Sequence, residues 1–208
     1  MLQKPHNSVR MAKIQKITFL GYADAKENDE LFKSAYEVAR VCAQHGYIVV
    51  NGGGPGVMKA ATLGAKSVNG KTIGVTFYPK DIPVFDGRDD ENKVDELIVV
   101  DNYLERTLKL LEIGQVFIIF NGGTGTISEF GMAWGLARLY FGHHKPLILY
   151  GNFWQEIIFA FTRGMYIRPE ERKVYKIVNK PEDVISAIKE LEQRIAREVH
   201  TDKGPFSI

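Results

Sequence analysis

Seven short, nearly continuous apolar runs punctuate this chain and constrain its fold more than any other feature. They are KITFLGY (16–22), YIVVN (47–51), KTIGVTFY (71–78), LIVV (97–100), VFIIF (116–120), KPLILYG (145–151) and KVYKIVN (173–179). A strand with one wet face alternates apolar and polar residues, whereas a strand covered on both faces reads as an unbroken run. The segments between the runs supply the covering helices. In DELFKSAYEVARVCAQHG, Leu31, Ala35, Val38, Ala39 and Cys42 share one helical face, and Gly46 closes the helix. GVMKAATLGAKS (56–67), YLERTLKLLEIGQ (103–115), a segment from about Thr126 to Tyr140, FWQEIIFAFTRGMY and PEDVISAIKELEQRIAREV read as further helices, the last opened by Pro181. PKDIPVFDGRDDENKVDE (79–96) is charged, carries prolines and has no period, so it reads as a loop. This alternation predicts an α/β protein: a Rossmann-like doubly wound parallel sheet with helices on both faces. The expected organisation is a tail over 1–15, a single nucleotide-binding domain over 16–200 and a short tail over 201–208.

Charge narrows the partners. Lys plus Arg is 27 and Asp plus Glu is 25, a net charge of +2, with no basic block. That balance argues against a nucleic-acid surface. No run approaches the ~18 apolar residues a membrane span needs, so no membrane partner is expected. MLQKPHNSVRMAK lacks the hydrophobic centre of a signal peptide. The single cysteine, Cys42, lies on a helical apolar face and reads as a small buried hydrophobe. One thiol and no intrachain disulfide fit a reducing compartment, and the cytoplasm is the expected location.

Two glycine loops follow strands, at the edge where such sheets bind ligands. The first is NGGGPGVM (51–58) and the second is FNGGTGTISEF (120–130). Neither carries the dinucleotide fingerprint, because Val57 and Ser128 stand where its third glycine belongs. GAKSVNGKT (64–72) imitates a phosphate-binding P-loop, but leads from a helix into a strand, the reverse of the required order. In FNGGTGTISEF, glycine lets backbone N–H groups approach a ligand, and the following helix adds the positive end of its dipole. Such a terminus is an anion site, and a monophosphate fits it. Thr124 and Thr126 add hydroxyl donors. Glu129 admits two readings. Thr126-Ile127-Ser128-Glu129 is a T-x-x-E capping box, in which the glutamate merely starts a helix. The other reading has the carboxylate face the ligand and meet positive charge that develops during reaction.

GGTGTISE (122–129) resembles the GGxGTxxE signature of the Lonely guy (LOG) family, whose members often carry the label "possible lysine decarboxylase". NGGGPGVMKAA resembles the family's first glycine loop, LERTLKLLEIGQVFIIFNGG its Arg-bearing helix, and AWGLARLYFGHHKPLILYG its Trp and H-x-K-P region. The likeness runs from about residue 16 to 190. It implies a nucleoside 5′-monophosphate phosphoribohydrolase, an N-glycosidase that releases a free base and ribose 5-phosphate from a substrate such as AMP; cytokinins are among the bases released. It implies Arg106 and Glu129 as the catalytic pair, and Gly122, Gly123, Thr124, Gly125 and Thr126 around the phosphate. It further implies nucleotide contacts from Gly21, Gly52, Gly53 and Gly54, no cofactor, and a homodimer. Without the likeness, Arg106 reads as a solvent-facing arginine, because Leu104, Leu108 and Leu111 form the apolar stripe of its helix.

The chain departs from the family at three places. Asn121 replaces the proline before GGxGT, Thr107 the lysine after the catalytic arginine, and GYADAKEND (21–29) a GSS-like segment. These departures keep a second class open: a nucleotide-binding or molybdenum-cofactor carrier that does not cleave its ligand. A pyridoxal-dependent lysine decarboxylase rests only on the family label and on HHK at 143–145. His143 and His144 lack further ligands at metal spacing and read as loop surface, and no metal is expected. Trp134 and Trp154 read as core or interface. Loop 79–96 is a candidate lid over the site.

Overall fold

The computed structural model describes residues 14–79 and 88–201. Its strands are β1 (Lys16–Leu20), β2 (Ile48–Asn51), β3 (Thr72–Phe77), β4 (Glu96–Val100), β5 (Val116–Ile119), β6 (Leu147–Tyr150) and β7 (Tyr175–Val178). Its helices are α1 (Glu30–Gln44), α2 (Val57–Lys66), α3 (Tyr103–Ile113), α4 (Thr124–Leu139), α5 (Phe153–Gly164) and α6 (Asp183–Thr201). All seven strands pair parallel in one sheet, in the order β4-β3-β2-β1-β5-β6-β7. The inner runs are buried as expected, with β3 and β5 covered along their whole length. The run LIVV is not, because β4 is an edge strand and leaves Leu97 and Val99 about half exposed.

Two cores result, one on each face. Phe19, Val49 and Ile118 face α1, α2 and α6 through Ala35, Val38, Ala61 and Ile188. Leu20, Val50 and Ile119 face the layer of α3, α4 and α5 through Leu110, Phe130 and Trp154. Parallel strands need crossovers, and those on the two sides of β1 run to opposite faces. The strand order reverses between β1 and β5, and a crevice opens there at the carboxyl ends of the strands.

Most sequence-predicted elements stand where the periodicity puts them, with three corrections. The helix expected from Thr126 starts at Thr124, with Gly123 as its N-cap. Thr126 is therefore inside the helix, and the capping-box reading of Glu129 fails. The apolar stripe expected on α3 holds only at Leu111: Leu104 and Leu108 are exposed, and Arg106, Thr107 and Leu110 are buried beside Leu111 instead. His144 is buried at 4% exposure instead of lying on a loop surface, and only His143 is exposed. The His144 ring stacks on Phe141, its Nδ1 accepts the Gly142 N–H at 3.2 Å, and burial pulls its pKa down to about 4. Trp154 is buried and donates to Ile119 O, and Trp134 is partly buried and donates to Glu171 O. Residues 80–87 of the candidate lid lie outside the described residues, as do 1–13 and 202–208.

Candidate active site

A cavity of about 260 Å³ occupies the crevice between β1 and β5. The end of β1 and the turn after it contribute Phe19, Leu20, Gly21 and Tyr22; α3 contributes Tyr103, Arg106 and Leu110. The first turns of α4 contribute Gly123, Thr124, Gly125, Thr126 and Glu129. Chain segments roughly a hundred residues apart meet here because a doubly wound sheet aligns its carboxyl ends along one edge.

The N-terminus of α4 forms one wall. Its N-cap is a glycine, so no side chain caps it, and the first intrahelical bond runs from Ile127 N to Gly123 O at 3.0 Å. The amides before Ile127 have no acceptor within the helix. They sit at the positive end of a helix of 16 residues, where an anion is stabilised. Ser128 Oγ donates back to Gly125 O at 2.7 Å and pairs with Tyr103 Oη at 3.2 Å, which ties α4 to α3 across the mouth.

Glu129 lies one turn inside α4 and is 7% exposed; Arg106 on α3 is 6% exposed. Arg106 Nη1 stands 3.9 Å from Glu129 Oε1, an electrostatic contact too long for a hydrogen bond. Loss of water pushes the Glu129 carboxyl up to about 7, against the pull of the Arg106 charge. Desolvation lowers the Arg106 pKa, and Glu129 opposes that shift, yet a guanidinium remains protonated. The site thus holds a fixed cation beside an acid whose pKa burial raises to about 7, next to a helix N-terminus that no side chain caps.

Arg106, Glu129, Gly123, Thr124, Gly125, Thr126, Gly21 and Gly52 therefore share one cavity. Gly122 is half-buried just outside the lining, and Gly53 and Gly54 are buried behind it. Gly53 N donates to Asn51 Oδ1, and Gly54 O accepts from Asn92 Nδ2. Two lining residues carry no signal in the sequence. Tyr22 and Tyr103 are partly exposed aromatics at the mouth, and only the end-to-end alignment of β1 and α3 brings them there. Lys145, of the HHK stretch, sits at the opposite end of the sheet before β6. It donates to Leu111 O and Glu112 O, closing the C-terminus of α3. Among the described residues no three His, Cys, Asp or Glu side chains come together as a metal site. Nor, among those residues, is any helix long and apolar enough to cross a membrane.

Comparison with known proteins identifies the family and the fold. The SLOG cluster4 family matches residues 14–175. The cytokinin riboside 5′-monophosphate phosphoribohydrolase of Mycobacterium tuberculosis is 31% identical over 167 residues, covering 76% of this chain and 85% of that protein. Among solved structures, the molybdenum cofactor binding protein of Rippkaea orientalis is 27% identical with a TM-score of 0.63, covering 86% of this chain and 98% of that one. The molybdenum cofactor carrier protein of Chlamydomonas reinhardtii is 25% identical with a TM-score of 0.58, covering 87% and 99%. The chain belongs to the SLOG cluster4 family, among the LOG-type proteins that its glycine loops resemble.

Proposed function

We propose that the protein is a phosphoribohydrolase that cuts the N-glycosidic bond of nucleoside 5′-monophosphates such as AMP. One observation carries this reading: a buried carboxyl, Glu129, and a buried guanidinium, Arg106, lie 3.9 Å apart in a cavity walled by an uncapped helix N-terminus. The α4 amides and the Thr124 and Thr126 hydroxyls would hold the 5′-phosphate. The ribose then lies toward Glu129. Cleavage of a glycosidic bond passes through an oxocarbenium-like state that is positive at the sugar. The Glu129 carboxylate stabilises that charge more than it does the neutral ground state, which is the differential binding that lowers a barrier. Arg106 orients Glu129 and keeps enough of it ionised near neutral pH. Water attacks the anomeric carbon, and the products are the free base and ribose 5-phosphate.

A second reading is a carrier that holds a phosphorylated cofactor without cutting it. The likeness to molybdenum cofactor binding and carrier proteins over nearly their whole length favours it. Incubation with AMP separates the two: adenine and ribose 5-phosphate appear with the parent, and Glu129→Gln binds phosphate but loses at least about 100-fold in rate. Binding of AMP with no products establishes the carrier reading.

The same reading makes the protein a homodimer without a nucleic-acid partner, working in the reducing cytoplasm. Exposed Leu104, Leu108, Leu136, Leu139 and Tyr140 on α3 and α4, the net charge of +2 and the lone buried thiol of Cys42 support it.

A further inference from the structure

The first glycine loop, after β2, borders the cavity, yet of its three consecutive glycines only Gly52 lines it. What Gly52 touches there is Arg106. A guanidinium has five N–H groups on three nitrogens. Nε donates to Val75 O at 3.1 Å and Gly52 O at 3.3 Å. Nη2 donates to Gly52 O at 3.0 Å and lies 3.3 Å from Met58 Sδ. Nη1 alone is directed at Glu129. Every strong acceptor on the clamped side is a neutral carbonyl, so the clamp holds the positive charge without cancelling it. Space tells the same story. A Cβ on Gly52 would stand 1.6 Å from Arg106 Nη2 and 2.7 Å from Met58 Sδ, so the guanidinium occupies the volume any side chain at 52 would need.

We propose that Gly52 is a positioning residue: its carbonyl clamps the Arg106 guanidinium and its missing side chain makes room for it, so that Nη1 alone faces Glu129 and the ligand. On this assignment the two glycine loops divide the work. The second holds the anion, and the first holds the cation that faces the acid. The rate consequence rests on the phosphoribohydrolase reading; the geometry of the charge pair does not.

Gly52→Ala tests it. The backbone at 52 is not in the left-handed region, and the new methyl meets the far end of a flexible side chain, so the fold accommodates it by moving Arg106. The titratable groups lining the cavity around Glu129 are Arg106 and Tyr103 from α3 and Tyr22 after β1. Arg106 is the one that pulls the Glu129 pKa down. In carboxyl-labelled protein, with the Glu129 resonance assigned by its loss in Glu129→Gln, Gly52→Ala shifts the titration of Glu129 upward, as Arg106→Ala does. The double variant shifts it no further, since residues acting as a unit are non-additive. AMP cleavage falls about 100-fold, the scale of a 1 Å misplacement. A glycine needed only for packing lowers the unfolding midpoint and leaves the titration of Glu129 where it was. That result in folded Gly52→Ala overturns the proposal. If Gly52→Ala does not fold, Met58→Leu removes the sulfur contact at nearly equal volume. That change leaves Gly52 intact and serves as the control. The decisive variant is then Gly52→Ala/Arg106→Ala, which folds because the absent guanidinium vacates the volume the methyl needs, and its failure to fold while Arg106→Ala folds overturns the proposal. A parent that leaves AMP intact removes the enzyme reading, while the titration still decides the clamp.

Discussion

Glu129 is the residue at which stability and function pull apart. Its folded pKa of about 7 lies above the ordinary 4.5 of a glutamate in water, because burial disfavours the charged form more than Arg106 favours it. Below pH 4.5 the carboxyl is protonated in both folded and unfolded chains and has no linkage effect. As pH rises through 7, the folded state must bear a buried charge that the unfolded state bears in water. Stability is therefore lost across that window, just as the ionised form that the proposed cleavage requires becomes populated. Gln cannot ionise. Urea unfolding at pH 5 and pH 8.5 should show Glu129→Gln gaining on the parent at the higher pH, by up to about 3 kcal/mol. A gap between the two proteins that does not change with pH would show that Glu129 is not buried as described. The gain in stability would accompany the loss of cleavage, the usual conflict at a site built for chemistry.

At the scale of elements, α1 and α2 lie side by side on one face of the sheet, and their approach depends on Gly64. A Cβ there would stand 2.0 Å from Tyr36 O, and that obstacle is backbone, which cannot swing aside. Gly64→Ala should therefore push the helices apart and destabilise the protein by about 3 kcal/mol in urea, at the upper end of overpacking costs. The cavity, built on β1, α3 and α4, should keep its affinity for inorganic phosphate below the unfolding transition. The contrast with Gly52, where the obstacle is a side-chain tip, shows why two glycines of similar appearance in the sequence do different things. The inner strands were legible as apolar runs because burial on both faces leaves few polar positions, whereas edge strand β4 reads alike with Leu97 and Val99 exposed. The place of the second glycine loop was legible because glycines and threonines after a strand run mark the turn into a helix, and Gly123 to Thr126 do open α4 at the cavity. Arg106 was not legible from periodicity. That argument assumes the apolar side of α3 faces in, so it turned Leu104 and Leu108 inward and Arg106 out. Glu129 was ambiguous for a related reason: the capping box assumes Thr126 begins the helix, and Gly123 begins it. Both failures fall on the charged pair, where local rules give way to the needs of a site.

At the scale of the whole molecule, those outward leucines become the open question. Leu104 is 67% exposed and Leu108 57% on α3; Leu139 is 78% at the end of α4 and Tyr140, its C-cap, 64%. Leu108, Leu136 and Tyr140 line one groove between the two helices, so the exposure is shared and not scattered. A contiguous apolar surface of this kind marks an interaction site more often than bare solvent. A second copy of the chain supplies an identical apolar ridge, and a two-fold axis would set each α3–α4 groove against its mate. Light scattering should give twice the chain mass of 23.5 kDa for the parent and the single mass for Leu108→Glu. Because Leu108 is exposed within one chain, the substitution should change the unfolding of the isolated chain by about 0.5 kcal/mol or less. A parent that remains monomeric at tens of micromolar rejects the dimer. A dimer that survives Leu108→Glu moves the interface to another face. The same α3 turns Arg106 inward and these leucines outward, so in a dimer the partner would brace, from behind, the helix that carries the cation.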